Sequence, residues 1–226
     1  MIKKSKRYQE SSKGLDKEKT YQLKEAIGIL KKLKPPKFEG SCDLHFNLNV
    51  DPKKSEQMVR GTVVLPHGTG KKVRVAVFCK GEHDRIARDA QADLVGAQDL
   101  MDKVAAGFLD FDCAIATPEM MKDLSKLGKV LGPRGLMPSP KTGTVTNDIA
   151  KAIDEVRKGK VEFRVDKQGG IHLSIGKISF AEDKLMENAS RVIDAINEAK
   201  PSTVKGKFVK TLSIASTMNP GLHLAI

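Results

Sequence analysis

The spacing of apolar residues changes three times along the chain, and this limits the possible folds more than any other feature. Leu23, Ala26, Ile27, Leu30 and Leu33 recur at helical spacing before Pro35 and Pro36, which predicts an amphipathic helix with Lys24, Lys31 and Lys32 outside. From Cys42 to Val50 the period becomes two. Cys42, Leu44, Phe46, Leu48 and Val50 face one way and Asp43, His45, Asn47 and Asn49 the other, the pattern of a strand with one wet face. A short strand from Thr62 to Leu65 runs into a break at Pro66 to Gly70. Strand and helix then alternate. A compact run, Val73 to Cys79, precedes helical stretches near His83 to Ala92 and Ala97 to Ala106. A buried strand, Cys113 to Ala116, leads into a helix capped by Thr117 with Pro118 first, and Asn147 caps another helix that ends at Gly159. Such alternation favours a small α/β unit with parallel strands.

After Gly159 the period of two returns. Val161, Phe163 and Val165, then Ile171, Leu173 and Ile175, flank a polar turn and predict a hairpin that sets Arg164 opposite His172. A helix with Ser179 as cap and Glu182 three residues on carries Leu185, Met186, Ala189, Val192, Ile193 and Ile196 inward and ends before Pro201. The last long strand puts Phe208, Leu212 and Ile214 on one face and Thr211, Ser213 and Thr217 on the other. Those hydroxyls suit phosphate or sugar contacts, and equally an ordinary exposed β face.

Charge sharpens the division. The 226 residues carry 40 Lys and Arg against 28 Asp and Glu, a net +12. Residues 1–68 hold a surplus of seven and residues 160–226 of three, while 69–159 hold only two. A basic chain with basic ends points to nucleic acid, with Lys3, Lys4, Lys6 and Arg7 as candidate phosphate contacts. Without Trp, and with two Tyr and eight Phe, stacking on aromatic platforms has little material. No apolar run reaches the ~18 residues of a membrane span, and no apolar segment follows the basic start as a secretory signal requires. Three widely spaced cysteines do not make a disulfide framework. The expected setting is the cytoplasm.

Catalytic motifs fail on spacing. A phosphate loop around Gly70 and Lys71 would need glycine where Leu65 stands and Ser or Thr where Lys72 stands; a dinucleotide fingerprint would need glycine at Val73. The Lys141-Thr142-Gly143 triplet has no accompanying Ser-x-x-Lys. Cys79 and His83 lack a second ligand pair at zinc-like spacing, and Asp110 and Asp112 read as caps or surface charges. Neither an enzyme, a metal nor a cofactor is expected.

Gly132-Pro133-Arg134-Gly135-Leu136-Met137-Pro138-Ser139-Pro140-Lys141 is too rich in proline for helix or strand. It reads as a stiff loop presenting Arg134 and Lys141, or as an Ω-loop packed on its own domain. The string LGPRGLMPSPKTGTV closely resembles the signature of the L-one family of ribosomal proteins, the large-subunit stalk proteins of bacteria. KFEGSCDLHFNL, RGTVVLPHGTGK, DFDCAIATP, FRVDKQGGIHLSIGK and STMNPG extend the resemblance in order along nearly the whole chain.

The resemblance implies an α/β (α+β) protein of two domains. Residues 1–68 and 160–226 would form an antiparallel-sheet-plus-helices domain that binds large-subunit ribosomal RNA, and 69–159 an inserted, Rossmann-like three-layer domain facing exit-site tRNA. It implies RNA contacts at Lys37, Phe38, Ser41, Thr211, Thr217 and Met218, with Lys167 and His172 added, and places Arg134 and Lys141 in the loop facing tRNA. Release of deacylated tRNA, binding of the leader of the protein's own messenger as a repressor, and a free monomer associated with no membrane also follow from it. Asn219 stands where the family usually has glycine; Asn tolerates positive φ better than most residues, so the loop is expected to survive the change. A basic nucleic-acid binder without a ribosomal role is the alternative.

Overall fold

The computed structural model describes residues 5–13, 15–16 and 19–225; Lys3 and Lys4 lie outside the described residues. In chain order the elements are α1 (Lys6–Ser12), β1 (Thr20–Tyr21), α2 (Leu23–Lys32), β2 (Ser41–Leu48) and β3 (Arg60–Val64). Then come β4 (Val75–Phe78), α3 (Glu82–Asp89), β5 (Leu94–Gly96), α4 (Gln98–Ala105), β6 (Cys113–Ala116), α5 (Met121–Leu124), α6 (Gly128–Leu131) and α7 (Ile149–Arg157). The chain closes with β7 (Lys160–Arg164), β8 (Gly170–Lys177), α8 (Glu182–Glu198), β9 (Val209–Ser216) and β10 (Leu222–Leu224). The chain is α/β and divides into two compact units, Met1–Gly70 with Val161–Ile226, and Lys71–Lys160.

In the unit built from both ends, five strands pair in the order β1-β10-β9-β2-β8. β1 runs parallel to β10 and the other pairs are antiparallel. The apolar side chains of β2, Cys42, Leu44, Phe46 and Leu48, are buried with Ala26, Ile27 and Leu30 of α2 and Leu185, Ala189, Val192 and Ile196 of α8. The helices therefore close the face that the alternation marks as apolar, and the polar face stays open. α2 ends at Lys32 with Leu33 as its C-cap, two residues before Pro35, because a residue preceding proline disfavours helical backbone.

The expected hairpin does not form. β7 pairs with β3 in a separate two-stranded sheet, and β8 pairs with β2. Alternation assigned the faces of both strands but could not choose their partners. Arg164 therefore does not oppose His172; His45 does. The cap of α8 also differs. Ala181 is the N-cap, with no side-chain hydrogen bond, and the Ser179 hydroxyl donates instead to the Glu39 carboxylate. At α7 the cap is Asp148 rather than Asn147, its carboxylate accepting from Lys151 N–H at 3.4 Å. Thr117 begins a turn of 3-10 helix without a side-chain cap bond.

In the other unit, β5, β4 and β6 form a parallel sheet with β4 central. Both faces of β4 are buried, Ala76 and Phe78 with Leu100, Met120, Leu124 and Leu131, and Val75 and Val77 with Ala87, Ile149 and Ile153. A buried parallel strand has no wet face to alternate with, which is why Val75–Phe78 is apolar throughout. The result is three layers, helix on sheet on helix.

Candidate nucleic-acid interface

Pro35 and Pro36 hold the approach to β2 out of helix, and Phe38 stands out from the surface at 55% exposure instead of joining the core. Lys37 beside it is exposed too. Three residues on, the chain enters β2 at Ser41, where it meets the turn that follows β9. Thr217 N–H donates to the Ser41 carbonyl at 3.0 Å, and the Thr217 hydroxyl accepts from Ser41 N–H at 2.9 Å and lies 3.2 Å from the Ser41 carbonyl. This clamp brings Lys37, Phe38, Ser41, Thr217 and Met218 to one end of the sheet.

Met218 is the most exposed large apolar residue described, at 65%, and it carries the positive φ of the turn, +65°. Asn219 itself does not have positive φ, and the turn forms with it in place. Its N–H closes the turn on the Ser216 carbonyl at 3.0 Å and its side-chain amide donates to the Ser216 hydroxyl at 2.9 Å. Left-handed backbone on a long side chain costs on the order of 1 kcal/mol, so the surrounding bonds must hold it.

Thr211 and Lys167 stand at the opposite end. Thr211 pairs in register with Asn47, and Asn47 with Gly170 on the other side, next to the exposed turn that holds Lys167. Six strand residues separate Ser41 from Asn47, or ~20 Å. Midway, one transverse row crosses all five strands: Thr20, His223, Ser213, His45 and His172. His45 and His172 face each other with their Nδ1 atoms 2.9 Å apart, and His172 Nε2 lies 3.6 Å from Asp166. Burial, and secondly the neighbouring His172, lower the His45 pKa below its usual 6.5, while Asp43 opposes the shift. Hydrogen bonds from the N–H groups of Gly170 and Gln168 hold the Asp166 carboxyl below its usual range. The polar face so assembled offers hydroxyls, amides and imidazoles rather than aromatic planes, a chemistry of hydrogen bonds to sugar and phosphate. His45 was absent from the sequence-derived set, although its place on the wet side of the alternation was a usable signal.

In the Lys71–Lys160 unit, Arg134 and Lys141 are both exposed on a braced loop. Leu136 and Met137 pack against the core that holds Leu131, and Leu136 N–H bonds the Leu131 carbonyl at 3.0 Å. The buried Thr142 hydroxyl reaches the Ser139 carbonyl at 3.0 Å, and Thr144 accepts from Ser139 N–H at 2.9 Å. The stretch is thus anchored at both ends and presents its two cations outward.

Among the described residues, no group of three or more His, Cys, Asp or Glu side chains could hold a metal ion. Among the same residues, no helix is long and apolar enough to cross a membrane. Burial, and then Asp43, push the Cys42 thiol up to about 12, and burial pushes Cys79 up to about 11, so both stay protonated and unreactive at neutral pH.

The class so defined is a basic, two-unit α/β protein with an open polar β face. A model of the ribosomal protein L1p/L10e family matches residues 30–220, and the chain belongs to that family. It is 56% identical to the large ribosomal subunit protein uL1 of Fervidobacterium nodosum over 225 residues, 99% of this chain and 96% of that one. It is 53% identical to the uL1 protein of Solibacter usitatus (98% and 94% covered) and 51% identical to that of Onion yellows phytoplasma (99% and 97% covered). The chain is therefore a ribosomal structural protein and not an enzyme.

Proposed function

We propose that this protein is a constituent of the large ribosomal subunit that holds the stalk segment of large-subunit ribosomal RNA on the open face of its terminal unit, residues 1–68 and 160–226. The observation that carries this reading is the clamp between Ser41 and Thr217, which gathers the exposed Lys37, Phe38 and Met218 at one edge of a hydroxyl-rich sheet. Thr211, Lys167 and His172 extend the contact surface along that face. The inserted domain, residues 69–159, turns the Arg134 and Lys141 loop toward exit-site tRNA and aids release of the deacylated molecule. The same RNA-binding face takes the leader of the protein's own messenger and represses its translation. The protein works in the cytoplasm, associated with the ribosome.

The test is competition. A transcript of the ribosomal RNA stalk segment, bound by the full chain, should stay bound under excess duplex DNA of equal length. Displacement by DNA would reduce the protein to a general basic nucleic-acid binder.

A further inference from the structure

One guanidinium ties together the two loops that carry the proposed RNA contacts. Arg7, in α1, donates from Nη2 to the Met218 carbonyl at 2.7 Å, and from Nη1 to the Asn219 Oδ1 at 2.9 Å and to the Lys34 carbonyl at 3.1 Å. Lys34 begins the segment leading to Lys37 and Phe38; Met218 and Asn219 belong to the turn after Thr217. The Asn219 carboxamide is used at both ends, since its nitrogen donates to the Ser216 hydroxyl at 2.9 Å. Ser216 is buried, at 5% exposure, so this bond anchors the link to the sheet. α1 is itself held, with the Ser5 hydroxyl accepting from Tyr8 N–H at 3.3 Å and Lys34 paired with Glu10 at 3.3 Å.

We propose that Arg7 and Asn219 act as a pair of positioning residues that pre-order the Thr217–Met218 turn and the Lys37–Phe38 loop for RNA. The proposal rests on the RNA-binding reading above and deepens it. Three features support a positioning role over a phosphate contact for Arg7. Its three hydrogen bonds, two from Nη1 and one from Nη2, all run to oxygens of the protein, so most of the fork is engaged in the free state. One of those oxygens belongs to Met218, the residue held at φ +65°, and a donor on that carbonyl fixes the peptide plane that the strained residue has to keep. The planar fork also spans two separate loops, which a single lysine ammonium cannot do. Asn219 supplies an acceptor that a residue without a polar side chain would lack, and the turn takes its left-handed residue one position earlier.

The experiment compares the full chain with Arg7→Lys, Asn219→Ala and the double variant, binding the ribosomal RNA stalk transcript over a series of salt concentrations. Each single change should weaken binding about three- to tenfold, the cost of ordering a loop at the moment of binding. The double variant should fall within about twofold of Arg7→Lys alone, because both changes cut one link. The slope of affinity against salt should not change, since no phosphate contact is lost. In the free protein, amide exchange at Thr217 and Asn219, whose N–H groups are bonded to Ser41 and Ser216, should accelerate in both single variants, a readout that a charge effect would not produce. Neither Arg7 nor Asn219 belongs to an apolar core, so these variants should keep the fold, and unaltered thermal unfolding checks this. Wild-type affinity in Arg7→Lys, a reduced salt slope, or fully additive losses would overturn the proposal. Failure of the unsubstituted chain to bind the transcript would instead overturn the functional reading along with it.

Discussion

The Thr217 hydroxyl is committed to Ser41 on both its N–H and carbonyl, so Thr217→Val leaves a partly buried Ser41 N–H without its partner while nearly preserving shape. Stability should fall by ~1–3 kcal/mol in this variant, measured by urea unfolding, and affinity for the stalk transcript, measured by filter binding, should fall as the clamp loosens. Unchanged affinity would remove Thr217 from the interface. His45 makes a separate prediction about pH. Its pKa is lowered in the folded chain, so the unfolded chain takes up the proton first as pH falls. Stability present above the unfolded value of 6.5 is then lost as pH drops through the depressed folded value. Denaturant midpoints measured between about pH 7.5 and pH 5 should decline for the native chain and decline less for His45→Gln. A parallel decline in both would show that His45 does not titrate as its surroundings require. Asp166, also lowered, loses its contribution only at more acid pH, below its usual 3.8.

At the level of elements, the two-stranded β3–β7 sheet depends on a close approach. A Cβ on Gly61 would lie 2.7 Å from the Phe163 ring, and Phe163 is buried at 3% exposure. Gly61→Ala should therefore cost about 1–3 kcal/mol of stability, seen in thermal or urea unfolding; a neutral result would mean that the ring can shift aside. This contact was not legible in the sequence, because it belongs to a pairing between strands about 100 residues apart. What was legible is local. The helix before Pro35 and Pro36 and the alternation of Cys42 to Leu48 each follow from neighbours a few residues away, as does the wholly apolar Val75–Phe78. The short β1, β5 and β10, of two or three residues each, have no period to read; β10 forms on the edge of β9, β5 on the edge of β4, and β1 in turn on β10. α1 is not legible in the sequence, because seven residues with one buried position carry almost no amphipathic signal. The polar face of β2 and β9 was readable, but the approach of Ser41 to Thr217 and of His45 to His172 needed register, which alternation leaves open. Likewise Asn219 could be recognised as unusual, while the positive φ of Met218 belongs to a turn bonded by Arg7, more than 200 positions away.

At the scale of the whole molecule, charge divides with the two units. Met1–Gly70 with Val161–Ile226 holds 24 Lys and Arg against 15 Asp and Glu, whereas Lys71–Lys160 holds 16 against 13. A unit carrying three-quarters of the net charge is suited to a stable grip on a polyanion, and a nearly neutral one to a transient encounter. Lys37→Gln should accordingly reduce the salt slope for the stalk transcript by about 0.7–0.9, one phosphate contact, while Lys141→Gln leaves that slope unchanged. Equal effects would mean that both units share the RNA. The central claim, that this chain is a working part of the large subunit, is tested most directly by sedimenting a native extract through a density gradient and probing the fractions for the protein. The protein should travel with large subunits and move to the top of the gradient in high salt. Its presence only as free protein at low salt would mean that it is not part of the subunit.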